Sequence, residues 1–223
     1  MDNSLFLTQK YQHIFIGPEF VRDYFINLYP ESGFIVLPDR NFISIQSYNR
    51  LLLAPWFYKI FPGYSHILIC QLDVCVTRKL ELDDLLHYDY VGAPCTFDLG
   101  KEAHVGNGGF SLRKLSAFQR ALTDGFNGVA IDWKDCKTFK HFVRYTLNKL
   151  RLHKLYIAMG YINEDLIVSL SLRRPLFKPT LQIAAAFCQD ALIDDSINPI
   201  AFHGWEKNLT GNLKDQCLEI IKN

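Results

Sequence analysis

Ile67-Leu68-Ile69-Cys70-Gln71-Leu72-Asp73-Val74-Cys75-Val76 is the stretch that most restricts how this chain can fold. Apolar residues run up to a single carboxylate and resume behind it, and Pro62 and Gly63 mark a break upstream. A run bounded in this way reads as a buried strand of a largely parallel sheet. Asp73 then falls at or just past the strand's carboxyl end, where open α/β sheets bind their ligands. A charge in such surroundings is costly unless a metal ion, a cation or several donors satisfy it. An Asp that merely caps the next turn fits the same spacing, so the run by itself leaves both readings open.

The rest of the chain can supply the layers such a strand needs. With 223 residues, 49% of them hydrophobic, it is long and apolar enough for a single α/β domain over residues 1–223. The formal net charge of +1 gives no general attraction to nucleic acid, and no nucleic-acid partner is expected. No apolar run approaches the roughly 20 residues that span a bilayer. Met1-Asp2-Asn3-Ser4 lacks the basic and apolar regions of a secretory leader, so a soluble, cytoplasmic protein is expected. Six cysteines, at 70, 75, 95, 136, 188 and 217, form no Cys-x-x-Cys pair and no zinc spacing. Reduced thiols are expected, with Cys70 and Cys75 as small core residues.

Read in order, His13–Ile16 is a short strand stopped by Gly17-Pro18, and residues 19–29 form a helix with Phe20, Tyr24 and Leu28 on its apolar face. Residues 33–38 are a strand, and Ser44 caps a helix that Pro55 ends or kinks. This alternation points to βαβ units. Residues 80–86 read as a short helix, 88–94 as a strand entering a turn, and 95–105 as a loop. A glycine-dense turn over 105–113 enters a strand, a helix follows over 113–122, and 123–134 is irregular. From about 135 to 156, Phe139, Phe142, Val143, Leu147 and Leu150 recur at helical spacing. The opposite face carries Lys137, Lys140, Arg144, Lys149, Arg151 and Lys154. Such a basic face is ordinarily just solvated, and its functional alternative is contact with anionic lipid or a polyanionic acceptor. A shorter helix opens at Asn163, and the last begins near Asn212.

Besides Asp73, three places combine polar groups with special backbone. In Gly106-Asn107-Gly108-Gly109, glycine allows positive φ and close approach of a ligand to the backbone. Its N–H groups could hold a sugar hydroxyl or phosphate. A tight turn between strands is the plainer reading, because the pattern is neither a P-loop nor a dinucleotide fingerprint. In Asn163-Glu164-Asp165, capping and the helix dipole suffice as an explanation. The chemical alternative makes one carboxylate a general base while the other binds a substrate hydroxyl. His203, in Phe202-His203-Gly204-Trp205, is either a satisfied histidine or, with Asp73, part of a divalent metal site, and Trp205 could stack on a sugar or base.

Taken together, these pieces resemble the DUF5672 family, catalogued as a domain of unknown function and looking like glycosyltransferases of GT-A-like fold. The matching stretches are Ser47-Tyr48-Asn49-Arg50-Leu51-Leu52, Ile67 to Asp73, Tyr88-Asp89-Tyr90-Val91-Gly92-Ala93-Pro94 and Gly106-Asn107-Gly108-Gly109-Phe110-Ser111-Leu112-Arg113. Asn163-Glu164-Asp165 and Phe202-His203-Gly204-Trp205 complete them. All six stand in order between about residues 44 and 206.

The resemblance implies a single-domain, Rossmann-like α/β fold with a mainly parallel central sheet flanked by helices. It also implies transfer of a sugar from a UDP- or GDP-linked donor to a hydroxyl of a glycan or lipid-linked acceptor, as in polysaccharide biosynthesis. Asp73 and His203 are the implied ligands of a divalent ion, Mn²⁺ or Mg²⁺, with Gln71 where many GT-A enzymes carry a first acid. Asn107, Gly108, Gly109 and Trp205 join Gln71 and Asp73 as implied donor-binding residues. Asp165, with Glu164 second, is the implied base of an inverting reaction. The rival expectations are a non-catalytic sugar-binding module on the same fold, a metal-dependent phosphate-cleaving hydrolase, and an interaction protein using the basic helix, which is also the place for peripheral membrane contact.

Overall fold

The apolar run does form a strand, β3 (His66–Cys70), but its neighbour lies antiparallel to it. The computed structural model describes residues 7–96, 103–127, 138–150, 152 and 162–222. In the order of the chain, β1 (Ile14–Gly17), α1 (Glu19–Leu28) and β2 (Gly33–Val36) make the expected βαβ unit, with β1 and β2 paired in parallel. Then come α2 (Ile45–Leu52), β3, β4 (Val74–Val76), β5 (Tyr90–Cys95), β6 (His104–Lys114) and α3 (Leu115–Asp124). The chain continues with α4 (Phe139–Lys149), α5 (Glu164–Leu170), α6 (Leu181–Phe187) and β7 (Cys188–Gln189). It ends with β8 (Ala201–His203), α7 (Trp205–Asn208) and α8 (Gly211–Lys222).

The protein is therefore mixed α/β. A single, mainly parallel sheet is not shown: the strands form the parallel pair β1–β2, the antiparallel sheet β3–β6–β5, and a third sheet, β4–β8–β7. In that third sheet β4 runs antiparallel to β8, and β7 runs parallel to it. The run at 67–69 reads as continuously apolar because both faces of the antiparallel sheet are covered. Ile67 and Ile69 pack toward a core built from α2, α3 and α5, with Leu51, Leu52, Phe118, Ile167 and the Phe57–Tyr58 turn. Leu68 packs on the opposite face with Val91, Phe110, Leu112 and Phe187 of α6. Doubly covered strands lose the alternation of half-buried ones whatever the direction of their neighbours.

Several elements follow directly from local chemistry. Ser44 caps α2 as expected, in a reciprocal box in which Ser47 N–H donates to Ser44 Oγ and Ser44 N–H donates to Ser47 Oγ. Gly125, at φ +85°, ends α3. Residues 83–85 form only a 3-10 turn where a short helix is expected. The glycine-dense segment is not a turn: β6 runs through it from His104 to Lys114.

The apolar face of α1 is displaced from the expected one. Phe20 and Tyr24 are 77% and 66% exposed, and Leu28 is exposed as well. The helix instead leans on its sheet through Phe25, whose ring lies 4.7 Å from that of Phe15 and 6.3 Å from that of Phe34. Cys75 is buried as expected, whereas Cys70 is exposed, and the described cysteines are free thiols. Of the long basic helix, the described part is α4. Lys137, Arg151 and Lys154, and the side chains of Lys140 and Arg144, lie outside the described residues.

Replacing fully buried Phe118, which packs against the rings of Tyr58 and Tyr90, with alanine should cost about 3–5 kcal/mol. Phe20→Ser on the exposed face of α1 should change stability by less than about 0.5 kcal/mol. Urea unfolding of the two variants checks both values.

Candidate functional site

Strand β6 carries the centre of the site, and a bulge gives it its shape. β5 advances one residue from Gly92 to Ala93 while β6 runs from Ser111 back to Asn107, leaving Gly108, Gly109 and Phe110 without partners on β5. A bulge of this kind frees backbone groups and re-aims the strand. Here the freed carbonyls are taken up internally. Tyr90 Oη donates to the carbonyls of Gly106 and Asn107 at 2.9 and 3.1 Å, and Ser111 Oγ donates to the Gly108 carbonyl at 2.9 Å. On the other edge Gln71 N–H donates to the Gly109 carbonyl at 2.9 Å, which ties the residue beyond β3 to the bulge.

Beneath the bulge lies Arg113, wholly buried, with Nη1 2.5 Å from Glu164 Oε1. Arg113 donates to Tyr58 Oη at 2.8 Å and to Ser111 Oγ at 2.9 Å, and the rings of Tyr90 and Phe118 flank its guanidinium. Burial by itself lowers the pKa of Arg113, but the charge of Glu164 together with Tyr58 and Tyr90 outweighs it and the pKa is raised. Glu164 is thus the partner of a buried cation at the start of α5. A Cβ at Gly108 would come within 2.7 Å of Glu164 Oε2. A Cβ at Gly109 would overlap the imidazole of His203, 2.1 Å from Nε2. Neither glycine has positive φ. They are needed because protein side chains lie against the backbone at both positions.

The β4–β8 ladder sets Asp73 beside His203: Val74 pairs with His203, and Gly204 N–H donates to the Asp73 carbonyl at 2.9 Å. His203 Nε2 lies 3.3 Å from Asp73 Oδ1 and 3.2 Å from Gln71 Oε1. On the other side of the ring, Nδ1 faces Asp190 Oδ2 at 3.6 Å. Asp190 in turn accepts from Asn107 Nδ2 and Asn208 Nδ2, both at 2.5 Å. Gly204 turns the chain at φ +60°, and its missing Cβ leaves room for Asn208 and Asp190. Burial lowers the His203 pKa, but Asp190, Asp73 and Asp165 outweigh it and the net shift is upward.

Among the described residues no group of three or more His, Cys, Asp or Glu side chains is arranged to hold a metal ion. Asp73 and Asp190 approach opposite nitrogens of His203, so the three do not converge. Two oxygens do lie close to His203 Nε2, Asp73 Oδ1 at 3.3 Å and the Gln71 side-chain Oε1 at 3.2 Å. Ligands about 2.1 Å from an octahedral ion stand about 3 Å apart. The two spacings from His203 Nε2, and the donor types, are those that one shared divalent ion would need, its other ligands coming from a phosphate or water.

Asp165 is the free acid of the pair at α5. Burial, then the Glu164 charge, raises its pKa to about 7, against the opposing donation from Leu166 N–H to Oδ1 at 2.7 Å and the Arg113 charge. Asp190 adds to the upward shift, which links Asp165 electrostatically to the His203 cluster.

Of the residues the sequence singles out, Gln71, Asp73, Asn107, Gly109 and His203 come together at one place, with Gly108, Glu164 and Asp165 beside them. Trp205 departs from that set. It is 5% exposed and packs with Cys75, Phe202, Leu209 and Cys217, so its indole fills core instead of offering a face to a sugar. Asp190 and Arg113 are the participants that sequence reasoning left without a role. The available signal for Asp190 was the apolar run of α6 and β7 ending in Gln189-Asp190, the same pattern that singles out Asp73.

The fold and the site define a mixed α/β protein whose polar centre is an acid–imidazole cluster laid along a bulged strand. Residues 31–203 match the family described as "Protein of unknown function (DUF5672)", and the chain belongs to that family. No curated protein and no solved structure matches it.

The raised pKa of Asp165 has a definite consequence for stability. A group whose folded pKa lies above its unfolded value of about 3.8 contributes stability fully present below that value and lost as pH rises through about 7. Asp165→Asn, neutral throughout, should therefore be more stable than the wild type above pH 7, by on the order of 2–4 kcal/mol. The difference should vanish below pH 4. Urea unfolding of both proteins at pH 4, 6 and 8 measures it.

Proposed function

We propose that this protein is a glycosyltransferase of GT-A-like organisation. It moves a sugar from a UDP- or GDP-linked donor to a hydroxyl of a glycan or lipid-linked acceptor, with inversion at the anomeric carbon. The observation that carries the reading is the division of labour among the acids along β6. Glu164 is committed to Arg113, Asp165 is left with a pKa near neutrality, and Asp73 stands with His203 and Gln71 as a separate set of donors.

In this reading Asp165 accepts the proton of the acceptor hydroxyl as its oxygen bonds to the anomeric carbon. The bond from that carbon to the diphosphate oxygen breaks, and its electron pair leaves with the diphosphate. The sugar passes through an oxocarbenium-like transition state of the kind known from glycoside hydrolysis. A carboxyl of pKa about 7 is well matched to such a proton transfer, being substantially ionised at neutral pH yet basic enough to take a proton. Asp73, His203 and the Gln71 side-chain Oε1 would hold a divalent ion, Mn²⁺ or Mg²⁺, which would offset the charge growing on the leaving diphosphate. Asn107 is braced at both ends, its Oδ1 accepting from Gly109 N–H at 2.9 Å and its Nδ2 bonded to Asp190, so it keeps the bulge in the shape the donor meets.

Contact with a membrane-borne acceptor belongs to the same proposal. It is supported by α4, where Phe139, Phe142 and Lys149 are exposed. No helix among the described residues is long and apolar enough to cross a membrane.

Thermal shift against UDP, GDP and their sugar conjugates, with and without Mn²⁺ or Mg²⁺, tests the donor. A ligand at ~100 times its Kd should add about 2.7 kcal/mol of stability. No shift with any nucleotide contradicts the proposal and favours the glycan-binding module. With a donor in hand, transfer should rise with pH through about 7 in the wild type, and Asp165→Asn should lose roughly 10²–10⁴-fold in rate. Undiminished transfer by that variant would remove Asp165 as the base.

A further inference from the structure

We infer that Asp190 is a positioning residue that holds the His203 ring ready to offer Nε2 to a divalent cation. The inference rests on the donor-site reading above and extends it to a residue outside the donor set.

Three observations carry it. First, both oxygens of Asp190 are engaged. Oδ1 accepts from Asn208 Nδ2 of α7 and Oδ2 from Asn107 Nδ2 of β6, so the carboxylate that follows β7 is fixed against two other elements. Second, His203 Nδ1 is buried and makes no hydrogen bond, and the acceptor in front of it is Asp190 Oδ2, at 3.6 Å. That distance is too long for a hydrogen bond, and a buried polar nitrogen left in this way calls for an explanation.

Third, Nε2 stands between two acceptors. Gln71 Nε2 donates to Tyr48 Oη at 3.2 Å, which turns the Gln71 carbonyl oxygen toward His203, and Asp73 Oδ1 lies beside it. In the cation-free protein the ring proton belongs on Nε2, where both acceptors wait for it. Nδ1 then presents a lone pair to a carboxylate, and the pair stands apart at 3.6 Å.

When Nε2 gives its lone pair to a divalent cation, the neutral ring carries its proton on Nδ1 instead. One proton leaves Nε2 to solvent and one is taken up at Nδ1, so the ring charge does not change. Nδ1–H then faces Asp190 Oδ2 as a donor, and the gap closes to a charge-assisted hydrogen bond. Partners of this kind on the far side of a metal-binding imidazole fix its tautomer and typically contribute 10- to 100-fold in affinity. Asn107 and Asn208 fix the carboxylate so that this acceptor is in place before the cation arrives.

The test uses the full chain at pH 8. Mn²⁺ affinity is measured by electron paramagnetic resonance, with and without UDP or GDP, for the wild type, Asp190→Asn and Asn208→Ala. The His203 ring nitrogens are followed by ¹⁵N NMR during a Mg²⁺ titration. The expected result is a wild-type tautomer change from Nε2–H to Nδ1–H on adding Mg²⁺. Mn²⁺ affinity should fall 10- to 100-fold in Asp190→Asn and by clearly less in Asn208→Ala, which keeps the carboxylate and its bond from Asn107, even where the two variants melt at similar temperatures. Equal Mn²⁺ affinity in Asp190→Asn and wild type, or a ring that stays Nε2–H with the cation bound, overturns the inference. Absence of Mn²⁺ binding by the wild type also overturns it. A nucleotide shift that needs no metal would then leave the transferase reading standing without a cation, so the two failures are distinguishable.

Discussion

The buried pair of Arg113 and Glu164 is the interaction on which the arrangement depends. Arg113 is carried by β6 and Glu164 by the first turn of α5, so the pair fastens the bulged strand to the helix that bears Asp165. Two charges taken out of water incur several kcal/mol of desolvation each, which their attraction repays only with good geometry and further hydrogen bonds. Tyr58, Ser111 and the flanking aromatic rings supply those additional partners to the guanidinium. A buried ion pair of this kind is weak evidence for net stability. Its consequence here is positional: Glu164 is committed, and its charge helps raise the neighbouring Asp165.

The same pair accounts for Gly108, and His203 for Gly109. With Glu164 and Arg113 beneath Gly108, and His203 against Gly109, a β-carbon at either position would collide with the groups that make the site. The acid pair, the glycine segment and the histidine, far apart in sequence, are therefore parts of one packing problem. Asp190 closes it from the other side by joining Asn107, His203 and Asn208.

Much of this was legible in the chain, for reasons that also show where reading stops. The cap at Ser44 and the βαβ unit at 14–36 rest on local periodicity and local hydrogen bonds and form as expected, and a strand does open at the Ile67 end of the apolar run, although it closes at Cys70, short of Asp73. Strand direction was not legible, because an apolar run reports that both faces are covered and not which way its neighbour runs. The face of α1 was misjudged for a related reason. Phe20, Tyr24 and Leu28 make one apolar stripe and Val21 and Phe25 another, and only the position of Phe15 and Phe34 selects the second. Asp73 and His203 stood out because each is polar inside an apolar run, whereas the role of Asp190 depends on two asparagines distant in sequence. Trp205 looked like a binding residue because an indole can stack on a sugar or base, but tertiary packing places it against α8 and Cys75.

A double-mutant cycle on Arg113→Met and Glu164→Gln, read by urea unfolding, tests the central claim most directly. If the pair is a single unit, each replacement alone should cost about 3–5 kcal/mol by stranding the other partner. The double variant should then be more stable than the sum of the single losses by at least ~2 kcal/mol. Losses that simply add would show that the two residues act independently, and that Glu164 is as free as Asp165 to serve as the base.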